Sequence, residues 1–184
     1  AVVGAGPAGA RTAQILTERG YSVTIFERDL EPGRPVHCTG IISHECARRF
    51  DIPESLFLHE VRSFVLHSPR GREAQVRRRS VQAYVVDRVR FDQHLVQRAS
   101  HAGAHLITSA DVENLRWDGE NVRVDVRMGA KRTAVEFKVR AAVLASGYGA
   151  PIARKLGLGH TGEVISGCQA VVESPAADQV EIFT

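Results

Sequence analysis

Cysteine is scarce in this 184-residue chain: Cys38, Cys46 and Cys168 are the full set, with no Cys-x-x-Cys pair among them. That leaves no even framework for disulfides and suits a reducing compartment with free thiols. It also argues against zinc, because Cys38 and Cys46 stand outside the usual short ligand spacings, and the adjacent His37 and Cys38 point apart along an extended chain. No metal site is expected. The remaining histidines, at 44, 59, 67, 94, 101, 105 and 160, show no paired spacing and read as surface or cap residues. Long apolar runs are missing too. Nothing approaches the roughly 18–20 residues of a membrane helix, and no secretory segment is present. No Gly-x-Ser-x-Gly elbow supports a hydrolase, and no internal repeat or low-complexity tract suggests an array.

Lysine is nearly absent: Lys131, Lys138 and Lys155 leave 21 of the 24 basic residues to arginine, for a formal charge of +3. Arginine suits forked contacts with phosphate or carboxylate. The arginines are spread along the chain, however, and only Arg77-Arg78-Arg79 forms a run. It reads as a solvated strand end or turn, and no nucleic-acid partner is expected. The apolar fraction of 43% is enough for one good core. Only three apolar residues precede the first glycine loop, fewer than the roughly 5–6 of a usual buried strand. At the other end, "QVEIFT" stops within a strand-like alternation. The chain is therefore expected to be part of a longer protein, with a few residues in front and a large part behind.

Val2-Val3 followed by Gly4-Ala-Gly6-Pro-Ala-Gly9 reads as strand, turn and helix start. The helix runs through Ala10, Ala13, Ile15 and Leu16 to a stop at Gly20, and "YSVTIFER" is a second strand ending at Glu27. Residues 29–60 are loop-rich, with a helix from Ser43 to Phe50. "VRSFVLHSPRGREAQVRR" is a hairpin closed at Pro69-Arg70-Gly71, and "VQAYVV" a further strand. A helix capped by Asp87 and ended by Gly103 places Arg88, Phe91, Leu95 and Ala99 on one face. After a short strand, "AHLIT", three alternating runs at 111–117, 122–128 and 133–139 form a β-meander around "DGEN" and "MGAK" turns. "AAVLASG" closes as an apolar strand ending in small residues, and Cys168 reads as a buried strand thiol.

Gly-x-Gly-x-x-Gly alone is a weak signal. Here it follows a strand, opens a helix and meets Glu27 18 positions after Gly9, which is the full context of a dinucleotide site. Gly4 permits the tight turn, Gly6 lets the backbone reach a pyrophosphate, and Gly9 lets helix and strand pack closely. Pro7 and Ala8 open the helix, whose N-terminal amides and dipole favour phosphate. Glu27 would accept from ribose hydroxyls and repel a 2′-phosphate. A nicotinamide dehydrogenase normally continues with strand-helix alternation, whereas a meander follows here.

That order resembles the flavin-binding fold of the p-hydroxybenzoate hydroxylase and glutathione reductase type. The particular motifs resemble the geranylgeranyl reductase family: "GAGPAGARTAQILTERGYSVTIFER" its flavin-binding N-terminus, and "PGRPVHCTGIIS" its cysteine-containing loop. "YVVDRVRFDQHLVQRA" is similar to its Tyr-x-x-x-Arg-x-x-Phe-Asp-x-x-Leu helix, and "VLASGYGAPIARKLGL" to its variant of a motif that reads Asp-Gly in related hydroxylases. "GEVISGCQAVVE" with "VEIF" resembles the opening of its substrate-domain sheet. The chain departs from the pattern in two places. It has Cys38-Thr39-Gly40 where the archaeal lipid reductases carry an acidic version of the loop, and Ser146 and Tyr148 where hydroxylases carry aspartate.

The resemblance implies an α/β fold: a Rossmann-like FAD-binding domain over 1–60 and 87–158, with a β-rich substrate domain begun by 61–86 and 159–184. It implies FAD contacts at Ala8, Glu27, Cys38, Thr39, Gly40, Arg88 and the backbone of Val112. Ser146 and Gly147 would permit close backbone approach, and Arg28 would lie beside the adenine or simply be exposed. It further implies NAD(P)H or another electron donor, and reduction of carbon–carbon double bonds in an isoprenoid. Cys38 is the candidate catalytic residue, to tune the flavin, gate the substrate or donate a proton; the alternative is a small packing residue in a turn. The rival activities are an aromatic or polyketide monooxygenase, a flavin-dependent halogenase, and a dinucleotide-binding module without catalysis. A cytoplasmic protein is expected, with peripheral membrane contact through segments beyond residue 184.

Overall fold

A computed structural model of the chain describes residues 1–148, 150–158, 167–170 and 180–183. In chain order the first elements are β1 (Val2–Val3), α1 (Pro7–Glu18), β2 (Thr24–Phe26), β3 (Ile41–Ser43) and α2 (His44–Arg49). Next come β4 (Phe57–Val61), β5 (Ser63–His67), β6 (Glu73–Arg77), β7 (Ala83–Val86) and α3 (Arg88–His101). The last are β8 (His105–Ile107), β9 (Ala110–Trp117), β10 (Val122–Met128), β11 (Thr133–Val139), β12 (Val143–Leu144), α4 (Pro151–Lys155) and β13 (Val180–Phe183). The chain divides into two compact units, Ala1–Pro35 with Val89–Ile165, and Val36–Arg88 with Ser166–Thr184.

The first unit is built on a parallel sheet of order β12-β1-β2-β8. Its strands are short apolar runs because both faces are covered: Val2, Val3, Ile25 and Phe26 are all buried. Helix α1 presents Gly9, Ala10 and Ala13 to the interior, small residues that bring the helix axis close to the sheet. Helix α3 buries Phe91, Leu95, Val96 and Ala99, the spacing of one helical face.

The meander forms an antiparallel sheet of order β11-β10-β9. Its inner residues Ala110, Val112, Val124 and Val126 pack with Val3, Phe26 and Ile152 into one apolar cluster. Phe137 meets Phe26 edge to face at 4.9 Å between ring centroids. The cluster thus locks β1 and β2, and with them the loops at their carboxyl ends.

The exposed side of the meander is a ladder of ion pairs. Arg116 reaches Asp125 and Glu136, Arg123 reaches Asp118 and Glu136, and Arg127 and Arg132 both reach Glu113. Amide donation from Asn121, the Arg123 guanidinium and the Glu120 amide hold Asp118 down to about 2 from 3.8. Glu113 is lowered chiefly by Arg127 and Asp125 chiefly by Arg116. A depressed carboxylate stabilises the fold above its unfolded pKa, and that contribution is lost as pH falls through the folded value. Stability of this unit should therefore decline between about pH 4 and pH 2. Asp118→Asn should flatten part of that slope and converge with the wild type at its acid end. Thermal melts across this range check it, and an unchanged slope would contradict the role of Asp118.

The second unit holds two small sheets, β3-β7-β4 and β13-β5-β6. Hairpin β5–β6 is antiparallel as expected, and β13 adds to β5 in parallel. Ser43 caps α2 by accepting from the Cys46 amide at 3.0 Å. Strands β3 and β4 lie in the stretch expected to be loop and helix. Both are short and take their order from β7, a partner distant in sequence. Cys168, expected as a buried strand thiol, is instead exposed and outside any strand. Parts of "GEVISGCQAVVE", and His160, lie outside the described residues.

Candidate functional site: a glycine turn at the sheet's switch point

From β1 at the centre the sheet grows outward through β2 to β8, and the chain then returns to place β12 on the other side of β1. In open α/β sheets ligands sit beyond the carboxyl ends of the strands where the order reverses. The two loops at that point are Gly4–Gly9 and the one carrying Ser146 and Gly147. Gly4 N–H donates to Phe26 O, which ties the first loop to β2, and Ala145 N–H donates to Val3 O, which ties the second to β1, each at 2.8 Å.

The three glycines meet different constraints. Gly4 has φ +102, and a methyl group there would lie 2.5 Å from Ala145 O. A methyl at Gly9 would overlap Gly4 O and reach Val2 Cγ1 at 3.3 Å. Gly6 has φ −66, which any residue adopts, and no protein atom within 4 Å of a methyl's position. Gly4 and Gly9 are thus required by the protein's own packing, whereas Gly6 faces open space. No side chain caps the first turn of α1, no acidic residue stands in it, and Pro7 and Ala8 are exposed. Its amides are left to an external acceptor, with the positive end of the helix dipole behind them.

Glu27 stands at the end of β2, directly beside this turn. Its Oε2 accepts from Ala5 N–H at 2.7 Å and its Oε1 from Asp29 N–H at 2.9 Å. Its own backbone bridges strands, donating to Ile107 O and accepting from Ala110 N–H, both at 2.8 Å. Each carboxylate oxygen keeps a further lone pair, so ribose hydroxyls can be accepted without breaking these bonds. Glu27→Gln places an NH2 against one of the two amide donors and should cost about 1–3 kcal/mol, the penalty of an unsatisfied partly buried donor. Thermal melts of the cofactor-free protein should therefore already show the loss, ahead of any effect on ligand binding.

The other expected contacts of this unit are placed as follows. Ser146 is half-buried and Gly147 exposed, in the loop against Gly4. Val112 buries its side chain in the apolar cluster, which fixes the backbone of β9. Arg28 is exposed, with its guanidinium 3.6 Å from Asp29 Oδ1. Ala5 was not foreseen; its buried amide is the donor that ties the turn to Glu27. Gly33 was also missed. It packs its loop on α3, where a methyl would come 3.1 Å from Val89 Cα.

In the second unit Cys38 and Thr39 are exposed and Gly40 is buried. Gly40 N–H donates to Cys38 Sγ at 3.4 Å, and Gly40 O accepts from Val86 N–H at 2.8 Å. Gly40 has φ +75, and a methyl there would lie 2.5 Å from Val86 O and 3.2 Å from Arg88 Cγ. The structure therefore brings Gly40 and Arg88 together and presents Cys38 at the surface of the loop. Among the described residues no group of three or more His, Cys, Asp or Glu is arranged to hold a metal.

A switch-point turn with uncapped amides, open space over Gly6 and an anchored acidic residue defines a dinucleotide-binding domain. The donor set fits the pyrophosphate and ribose of FAD. The chain belongs to the FAD-binding domain family, whose sequence model matches residues 1–181. It is 31% identical over 159 residues to the digeranylgeranylglycerophospholipid reductase of Methanocaldococcus jannaschii, covering 85% of this chain and 40% of that protein. It is 33% identical over 149 residues to the geranylgeranyl diphosphate reductase of Rhodobacter capsulatus, covering 81% of this chain and 37% of that protein. A crystal structure of a geranylgeranyl bacteriochlorophyll reductase-like protein from Thermoplasma acidophilum matches the fold with a TM-score of 0.76 and 24% identity, over 85% of this chain and 41% of that one. The chain thus spans about two fifths of the length of these two curated relatives.

Proposed function

We propose that this chain is the cofactor-holding part of an FAD-dependent oxidoreductase that reduces carbon–carbon double bonds of a prenyl lipid or pigment precursor. One observation carries the reading. An alignment covering 85% of the chain with a prenyl-lipid reductase omits at most about 28 of 184 residues, and so includes the whole stretch from Cys38 to Ser146.

Bound FAD supplies the electron-transfer chemistry, with NAD(P)H as the proposed donor. The chain's own residues bind and orient. The α1 amides and the Gly6 backbone hold the pyrophosphate, and the fixed Glu27 carboxylate accepts from the ribose and disfavours a 2′-phosphate. The Val112 backbone reads the adenine edge, Arg28 lies beside it, and Ser146 and Gly147 permit close approach. Arg88 offers its fork to phosphate, and Cys38, Thr39 and Gly40 contribute the loop, with Cys38 as the proposed catalytic residue. The functional division, 1–60 with 87–158 for the cofactor and 61–86 with 159–184 for the substrate, is likewise a proposal. It differs from the compact units, which break after Pro35 and Arg88. No helix among the described residues is long and apolar enough to cross a membrane; a cytoplasmic, membrane-peripheral protein is proposed.

The test is anaerobic turnover of a prenyl lipid by dithionite-reduced full-length protein. Cys38→Ala should retain its flavin and lose about 100-fold or more in rate, the scale of a positioned proton donor. Strict dependence on oxygen would eliminate the reductase reading, and an unchanged Cys38→Ala rate would reduce that residue to packing.

A further inference from the structure

The β5–β6 hairpin gathers five arginines into ten residues, Arg70, Arg72, Arg77, Arg78 and Arg79, against the single acid Glu73, so its net charge is 5 − 1 = +4. All five are exposed. None has an ion pair or side-chain hydrogen bond among the described residues. Arginines of the meander differ: Arg116, Arg123, Arg127 and Arg132 are each matched by a carboxylate. The hairpin's one acid is already engaged, 3.2 Å from His67 Nδ1. Among the described residues its positive charge is therefore uncompensated.

The backbone beneath these side chains is held. Ser68 closes the turn by donating its N–H to Arg72 O at 2.8 Å and accepting from Gly71 N–H and, at its Oγ, from Arg72 N–H, both at 3.0 Å. Arg78 N–H donates to Arg62 O at 2.9 Å, and Arg62 Nη1 donates to Arg79 O at 3.0 Å. Strand β6 is the outer strand of its sheet, with every residue exposed. Free guanidinium forks on a fixed ribbon match phosphate geometry. Pro69 and Val76 are exposed between them, and no aromatic residue occurs from 68 to 80 to stack a nucleobase.

We propose that this hairpin docks the protein onto an anionic phospholipid surface. The choice of a membrane rests on the proposed prenyl-lipid substrate, which resides in one. Each arginine near such a surface strengthens binding roughly fivefold, so removing three should weaken it by about 100-fold. The effect should collapse at high salt, where the screening length is only about 3 Å.

The experiment is co-sedimentation of the FAD-loaded full-length protein with phosphatidylcholine vesicles, with and without phosphatidylglycerol. Arg77→Gln/Arg78→Gln/Arg79→Gln is compared with Arg19→Gln/Arg48→Gln/Arg49→Gln, which removes equal charge elsewhere. Expected are preferential binding of the wild type to the anionic vesicles, its loss in the hairpin variant, and its retention in the control. Equal loss in both variants, equal binding to neutral vesicles, or no vesicle binding would overturn the proposal. So would tight RNA binding or self-association lost in the hairpin variant while vesicle binding is unchanged. No turnover of any prenyl lipid by the wild type would sink the reductase reading while leaving vesicle binding to be judged on its own.

Discussion

Gly9→Ala should severely destabilise the first unit. The added methyl overlaps Gly4 O, a backbone atom held in place by the bond from Gly4 N–H to Phe26 O. Neither side can yield cheaply. The helix would have to lift off the sheet, exposing Ala10 and Ala13, which are fully buried. Gly4 would have to move against Ala145 and Ser146. Overpacking of this kind, against main chain rather than a flexible side chain, costs on the order of 4 kcal/mol, a large share of a domain's whole stability. Denaturant melts and soluble yield check this, and a wild-type midpoint would mean that α1 does not pack on β1 as described.

Gly6→Ala should do the opposite: keep the fold and lose the cofactor. Its φ suits alanine and no protein atom lies within 4 Å of the new methyl, so cofactor-free stability should change by no more than about 0.5 kcal/mol. The methyl would stand between the phosphates and the uncapped α1 amides. Losing one or two hydrogen bonds to a charged group, each worth about 1.5–3 kcal/mol, predicts a fall in FAD affinity of about 100-fold. Titration of the cofactor-free protein with FAD measures it. The pair of variants separates a glycine needed by packing from one needed by a ligand.

Which parts of this were legible in the sequence follows from how local their causes are. The glycine turn, the meander and α3 carry their own signals: fixed glycine spacing, alternation around "DGEN" and "MGAK", and one apolar helical face. Strands β3 and β4 do not. Ile41 pairs with Val85 and Val61 with Ala83, contacts over more than twenty residues that leave no periodicity in three- or five-residue strands. Spacing from Gly9 singles out Glu27, but its bonds to Ala5 and Asp29 depend on the register of Val3 against Phe26, which only the folded sheet defines. Cys168 misled because short alternation around a thiol looks the same whether or not a partner strand covers it. The hairpin's excess of arginine over acid is legible in the sequence, whereas the pairing of meander guanidinium groups with carboxylates on neighbouring strands is defined only by the folded register.

The central claim is that the Gly4–Gly9 turn and Glu27 hold FAD. The most direct measurement is the absorbance of the purified full-length protein together with identification of the nucleotide released on denaturation. The account predicts the yellow flavin band and one FAD per chain, both lost in Gly6→Ala. A colourless wild-type protein that cannot be loaded with FAD, or a released nicotinamide dinucleotide in its place, would contradict it.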